Sequence, residues 1–202
     1  MIDLSKFNEI KNKYGKFASW AVWANEGLTP KSNVGDMSVL DPNVNKWLLT
    51  TLNTNVILVG LNFSHEVTGN KILDWHNFHN PGQSSQDYKI RFALKDTPFW
   101  GSYMTDIIKE FPEKKSNNVM KYLRVNTMLE EENIIAFRQE ISSLGSDSPT
   151  LVAFGNNVFT ILNKHLKSEF KIIKLIHYAH YINKNEYREK TISSITKAGF
   201  VN

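Results

Sequence analysis

The run Val56-Ile57-Leu58-Val59, closed by Gly60, constrains this chain more than any other stretch. It is short, unbroken and rich in β-branched residues, and a glycine follows it. That pattern reads as a strand buried on both faces, of the kind found inside a parallel sheet. The chain then turns polar and presents Asn62 at the strand's carboxyl end, the edge at which open α/β sheets bind ligands. The same residues also suit a plain βα turn, in which Gly60 allows the bend and Asn62 hydrogen-bonds the backbone.

Three further β-rich runs follow, at residues 101–108, 150–154 and 171–176. Helical patterns lie between and around them. Residues 4–13 form a short helix with Asp3 or Ser5 as cap, and Asp41-Pro42 starts another whose buried face is Trp47, Leu48, Thr51 and Leu52. Helices are also predicted over 85–94, 118–124, 130–144, 156–166 and 185–198. Ile134, Ile135, Phe137, Ile141 and Leu144 face inward in the third of these five segments, residues 130–144, and Val158, Ile161, Leu162 and Leu166 in the next. Residues 17–24, with Phe17, Trp20, Val22 and Trp23, suit an edge strand or an irregular wall. Alternation of strand and helix predicts one three-layer α/β/α sandwich around a mainly parallel four-stranded sheet, with residues 1–40 as an N-terminal extension packed on it.

Composition narrows the chemistry. The 202 residues suffice for one sizeable core. With no cysteine, disulfides, thiolate zinc sites, iron–sulfur clusters and cysteine nucleophiles are excluded. A net charge of +4 permits a polyanionic partner without requiring one. No apolar run is long enough to span a bilayer, and the N-terminus lacks the regions of a signal peptide, so a cytoplasmic, monomeric protein is expected.

Residues 63–82 hold few apolar side chains and many distinctive ones, and long loops of this kind are usually functional. In a parallel sheet, the loops after the first, second and fourth strands open on one side. They would bring together Asn62 with the 63–82 segment, Asp106, and residues 177–181. Plainer roles stand beside this one. Asp106 could pair with Lys109 at a strand end, and Tyr178 and Tyr181 could be packing. His76 with His79, and His177 with His180, have a spacing that could hold a metal, but Pro81 and the strand-end position favour loops, and no metal or other cofactor is expected. Lys164, Lys167, Lys171 and Lys174 could flank a nucleic-acid path or form a solvated face.

Three segments carry a family resemblance. Val59-Gly60-Leu61-Asn62-Phe63-Ser64 resembles the first motif of the thymine-DNA and mismatch-specific uracil-DNA glycosylase branch, where Gly-Ile-Asn-Pro-Gly or Gly-Met-Asn-Pro-Gly is usual. Phe78-His79-Asn80-Pro81-Gly82, with Arg91-Phe92 in the helix after it, resembles the stretch that follows. His177-Tyr178-Ala179-His180-Tyr181-Ile182 sits where the family has His-Pro-Ser and a wedge residue, behind the strand Leu151-Val152-Ala153-Phe154-Gly155. Over residues 55–182 the chain resembles a divergent member of the uracil-DNA glycosylase superfamily.

The resemblance implies a DNA glycosylase that flips a damaged or mismatched base out of single- or double-stranded DNA and hydrolyses its N-glycosidic bond without a metal. Asn62 would hold the attacking water, and His177 would donate to the base oxygen on which charge grows. Phe78, or failing it Phe63, would stack on the base, with His79 beside it. Tyr181, with His180 next to it, would wedge into the gap left in the DNA. Asp106 would read the base edge. Phe63 stands where the family has proline, Tyr178-Ala179 where it has Pro-Ser, and Asp106 where uracil-specific branches have an amide. A carboxylate accepts but does not donate, so it suits an edge with an exocyclic amino group, as in cytosine, better than uracil. The eroded positions also fit a second function, a module that binds nucleic acid or protein on the same fold without catalysis. A third, an α/β hydrolase of another glycoside using Asp74 or Asp87, lacks a matching pair of carboxylates.

Overall fold

The computed structural model describes residues 2–63, 73–109, 111 and 113–200. Its centre is a five-stranded sheet in the order β1-β3-β2-β4-β5, made of β1 (Ser19–Trp20), β2 (Asn53–Asn62), β3 (Ser102–Ile108), β4 (Thr150–Phe154) and β5 (Ile172–Leu175). β2 pairs in parallel with both β3 and β4, and β4 with β5. β1 runs antiparallel to β3. The sheet is therefore mixed and five-stranded, not four-stranded.

The extra strand comes from the segment expected to be an extension. Ser19 pairs with Met104 and Trp20 with Tyr103, and the Trp20 and Tyr103 rings meet edge to face at 5.0 Å. Two residues carry no readable alternation, so only their long-range partner makes them a strand. Residues 2–40 contribute Phe7, Ile10, Trp20 and Val22 to the core and are part of the fold itself.

Side-chain alternation along the strands builds two apolar layers. Ile57, Val59, Leu61, Tyr103, Ile107, Leu151 and Ala153 face one side, which α1 (Leu4–Tyr14), α4 (Ser116–Val125), α5 (Thr127–Ser143) and α6 (Asn156–Leu166) cover. Val56, Leu58, Met104, Val152 and Phe154 face the other, which α3 (Asp87–Leu94) and α7 (Lys184–Lys197) cover. Helices on both faces of a sheet make the general α/β sandwich. Among the described residues, no helix is long and apolar enough to cross a membrane.

Two helical expectations need correction. Asp41 caps only a turn, its carboxylate accepting from the Asn43 N–H at 2.8 Å, and α2 is just Leu48–Thr51. Trp47 is exposed instead of buried, and so is Ile135 on α5. The described part of the 63–82 stretch, residues 63 and 73–82, is also better packed than its composition suggests. Trp75 and Phe78, both with left-handed φ, are buried, and the Trp75 ring packs on Phe7 and Trp20.

Gly101 shows why the turn into β3 is glycine. Its φ is +79°, and a Cβ there would lie 2.0 Å from the carbonyl oxygen of Thr51. Gly101→Ala is expected to cost about 2 kcal/mol, read as a lower denaturation midpoint in urea.

Candidate functional site

Chain order places the site. From β2 the chain goes to its neighbour β3, then crosses back to β4 on the other side of β2. The connection leaving β2 leads to α3 on one face, and that leaving β4 leads to α6 on the other. This is a topological switch point, and a crevice opens there at the strands' carboxyl ends. A cleft of about 540 Å³ occupies it, lined by Gly60 to Asn62, Asp106, Phe154 to Val158 and His177 to His180, with Lys114 and Ser116 at α4. The structure thus brings Asn62, Asp106, His177 and His180 together from three strand ends.

Asn62 ends β2. Its amide nitrogen donates to the carbonyls of Phe111, at 3.0 Å, and Glu113, at 2.7 Å. Carbonyls only accept, so these two bonds fix which end of the amide is nitrogen. Both bonds are long-range and tie down the chain after β3; they are not the local bonds of the βα turn that the sequence also suited. Oδ1 takes no hydrogen bond from a described residue and remains an available acceptor.

His177 follows β5. Its Nδ1 accepts from the Ala179 N–H at 3.1 Å, which leaves the proton of the neutral ring on Nε2. Burial, with His180 nearby, lowers its pKa to about 4, so the ring is neutral at physiological pH. The imidazole stacks on Tyr178 at 4.4 Å, and Tyr178 meets Phe154 edge to face at 5.3 Å. The rings of Phe154 and Tyr178 therefore form the aromatic lining of the cleft. Neither was singled out for it from the sequence; the only signal was Phe154's place as the last residue of a buried strand.

Asp106 and Gly60 are partners in the β2–β3 register. A Cβ on residue 60 would sit 2.0 Å from the Asp106 carboxylate. The glycine gives the carboxylate room to lie across β2, and the strand runs on to Asn62 without a bend at Gly60. Asn77 donates to Asp106 Oδ2 at 2.9 Å, and its amide nitrogen also reaches the Phe17 carbonyl. Burial raises the Asp106 pKa to about 6, against the lowering effect of Asn77 and Lys109. The suggested pairing with Lys109 does not form. Lys109 contacts the backbone oxygen of Asp106, and its ion pair is with Glu140 at 2.8 Å.

Other expected contacts lie elsewhere. His79 is fully buried, tilted against Trp23 at 5.0 Å and bonded to the Trp20 carbonyl, so it cannot touch a base. Phe78 is one layer too deep. It packs under Gly60 and against Phe154 at 6.4 Å, and it does not line the cleft. Phe63 packs edge to face on Phe17 at 5.4 Å and is likewise outside the lining. These rings are drawn inward because Phe63 and residues 75–79 pack against the N-terminal residues Phe17, Trp20 and Trp23. Tyr181 stands fully exposed beyond His180. Ser64 and His65 lie outside the described residues. Among the described residues, no three His, Asp or Glu side chains gather to hold a metal ion.

Comparison of the chain with family models, with curated proteins and with solved structures found no match.

Proposed function

We propose that the cleft binds a base flipped out of DNA and hydrolyses its N-glycosidic bond. The observation that supports this best is the shared cleft of Asn62 and His177, 115 positions apart in sequence (177 − 62), each with one functional atom left available. Water held on Asn62 Oδ1 attacks the anomeric carbon as the bond to the base breaks. The bonding electrons leave with the base, and the water oxygen becomes the sugar hydroxyl. An amide is not a base, so Asn62 orients the water and the surplus proton passes to solvent or to the departing base. His177 Nε2–H donates to the base oxygen that gains negative charge. The Phe154 and Tyr178 rings provide an apolar wall for the base.

The test is a panel of labelled oligonucleotides carrying uracil, hypoxanthine, xanthine or mismatched thymine, incubated with the protein and then treated with alkali. Strand cleavage is expected on at least one of them. Asn62→Ala should reduce it by about 100-fold, and His177→Phe, which keeps the stacking ring but removes the donor, by about 100-fold or more. Cleavage that survives both changes overturns the proposal. Binding without cleavage across the panel would identify a module that recognises nucleic acid on this fold.

A further inference from the structure

A second cavity, of about 800 Å³, adjoins the cleft. The two share Gly155, Asn156, His177 and His180, so they are continuous around the 177–180 loop. The second is lined by Lys174 of β5 and by Lys190 and Lys197 of α7, with Glu189 as its carboxylate. All three lysines are exposed. Lys174 donates to the neutral Asn156 side chain at 3.1 Å and lies over the Phe159 ring. Lys197 makes no ion pair with a described residue. Lys190 is bound to Glu186 at 3.0 Å. Two ammonium groups from different elements thus face one concavity without a carboxylate partner.

The lysines expected from sequence spacing to mark a path are mostly used elsewhere. Lys164 pairs with Glu130, and Lys171 donates to the Ala198 carbonyl. Only Lys174 of that set lines the cavity. On the far side of the shared loop, the exposed Tyr181 ring borders another concavity with Tyr88 and Lys89. Ammonium groups in a concavity continuous with the cleft, and the exposed Tyr181 ring across the shared loop, supply what a single strand of nucleic acid requires: charges for its phosphates and a flat face for an unstacked base.

We propose that the cavity of Lys174 and Lys197 carries the phosphates of a single nucleic-acid strand flanking the nucleotide in the cleft. This rests on the base-binding role proposed above. The concavity lies between α7 and β5 and runs into the cleft at the 177–180 loop, so the phosphates it meets belong to the strand whose nucleotide occupies the cleft.

The test measures fluorescence anisotropy with a short labelled single strand containing only normal bases, and with the same sequence as a duplex, over a salt series. Two phosphate contacts on a single strand contribute about 1.4 to the slope of log K against log salt, so Lys174→Ala/Lys197→Ala should flatten the slope by about that much and weaken binding about 20-fold near 0.1 M salt. Circular dichroism and thermal melting should be unchanged, since both side chains are exposed. An unchanged slope overturns the proposal. Equal loss on a duplex that binds as tightly also overturns it, by assigning the lysines to double-stranded DNA. Cleavage is not measured here, so this result is separate from failure of the glycosylase reading: lysine-dependent binding can hold where the cleavage panel is silent, and cleavage can persist where the lysines prove irrelevant.

Discussion

Glu140→Ala is expected to lower the stability of the protein by about 3–5 kcal/mol, the cost of leaving a buried charge without its partner. Glu140 is 1% exposed and joins α5 to β3 through three contacts. Its Oε1 accepts from the Tyr103 and Thr105 hydroxyls, each at 2.8 Å, and its Oε2 pairs with Lys109 at 2.8 Å. Lys109 also donates to Thr105 at 2.7 Å and to the Asp106 carbonyl at 2.9 Å. Alanine would strand a largely buried ammonium and a buried phenol at once. Urea denaturation measures the loss. Glu140→Ala combined with Lys109→Met removes both charges and should recover part of it; a double variant no more stable than Glu140→Ala alone would mean that the ion pair is not the main term. Because this network grips the backbone of Asp106, the single variant should also loosen the cleft floor.

The second large effect has the opposite sign. Asp106→Asn is expected to stabilise the protein by about 3 kcal/mol above pH 6, because an ionised carboxylate raised by burial from 3.8 to about 6 is disfavoured in the fold by that amount. The raised value means that the folded state holds its proton more tightly than the unfolded state. Asp106 therefore favours folding most below pH 4, and this contribution is lost as pH rises through about 6. The gain from asparagine should accordingly fade between pH 6 and pH 4. Asp87, also raised to about 6 by burial, titrates in the same window, so the difference between variant and parent isolates Asp106. Asn77 can still donate to the asparagine oxygen. Denaturation of both proteins across this pH range is the measurement; a gain that does not vary with pH would show that folding does not shift the Asp106 carboxyl.

The same variant tests what Asp106 does with a base. A carboxylate accepts from an exocyclic amino group, while an amide can also donate to a carbonyl. Asp106→Asn should shift cleavage from cytosine-like toward uracil-like bases. An unchanged preference would remove Asp106 from base reading and leave it as a buried floor residue held by Asn77 beside Gly60.

Much of the secondary structure was legible because it is local. The stripe Val158, Ile161, Leu162 and Leu166 repeats with the helical period, and all four are buried in α6. The run at Val56 to Val59 lies in the interior strand β2, buried throughout. Strand-end logic also placed Asn62, Asp106 and His177 at one crevice, since parallel strands open their carboxyl ends on one side. Glu140 was harder to find. It follows Phe137 by three positions, on the buried face of α5, and a carboxylate there signals a partner without naming it.

Sequence alone determined strands β2 to β5, most of the helices and the meeting of Asn62 with His177, because periodicity and strand polarity are properties of a few neighbouring residues. Tertiary structure decided the rest. It made Ser19–Trp20 a strand, sank Phe78 and His79 into the core, gave Lys109 to Glu140 and gathered Lys174 with Lys197. Each of these depends on a partner far along the chain, and burial, pairing and charge neutralisation are settled only when the packed layers bring such partners within a few ångströms.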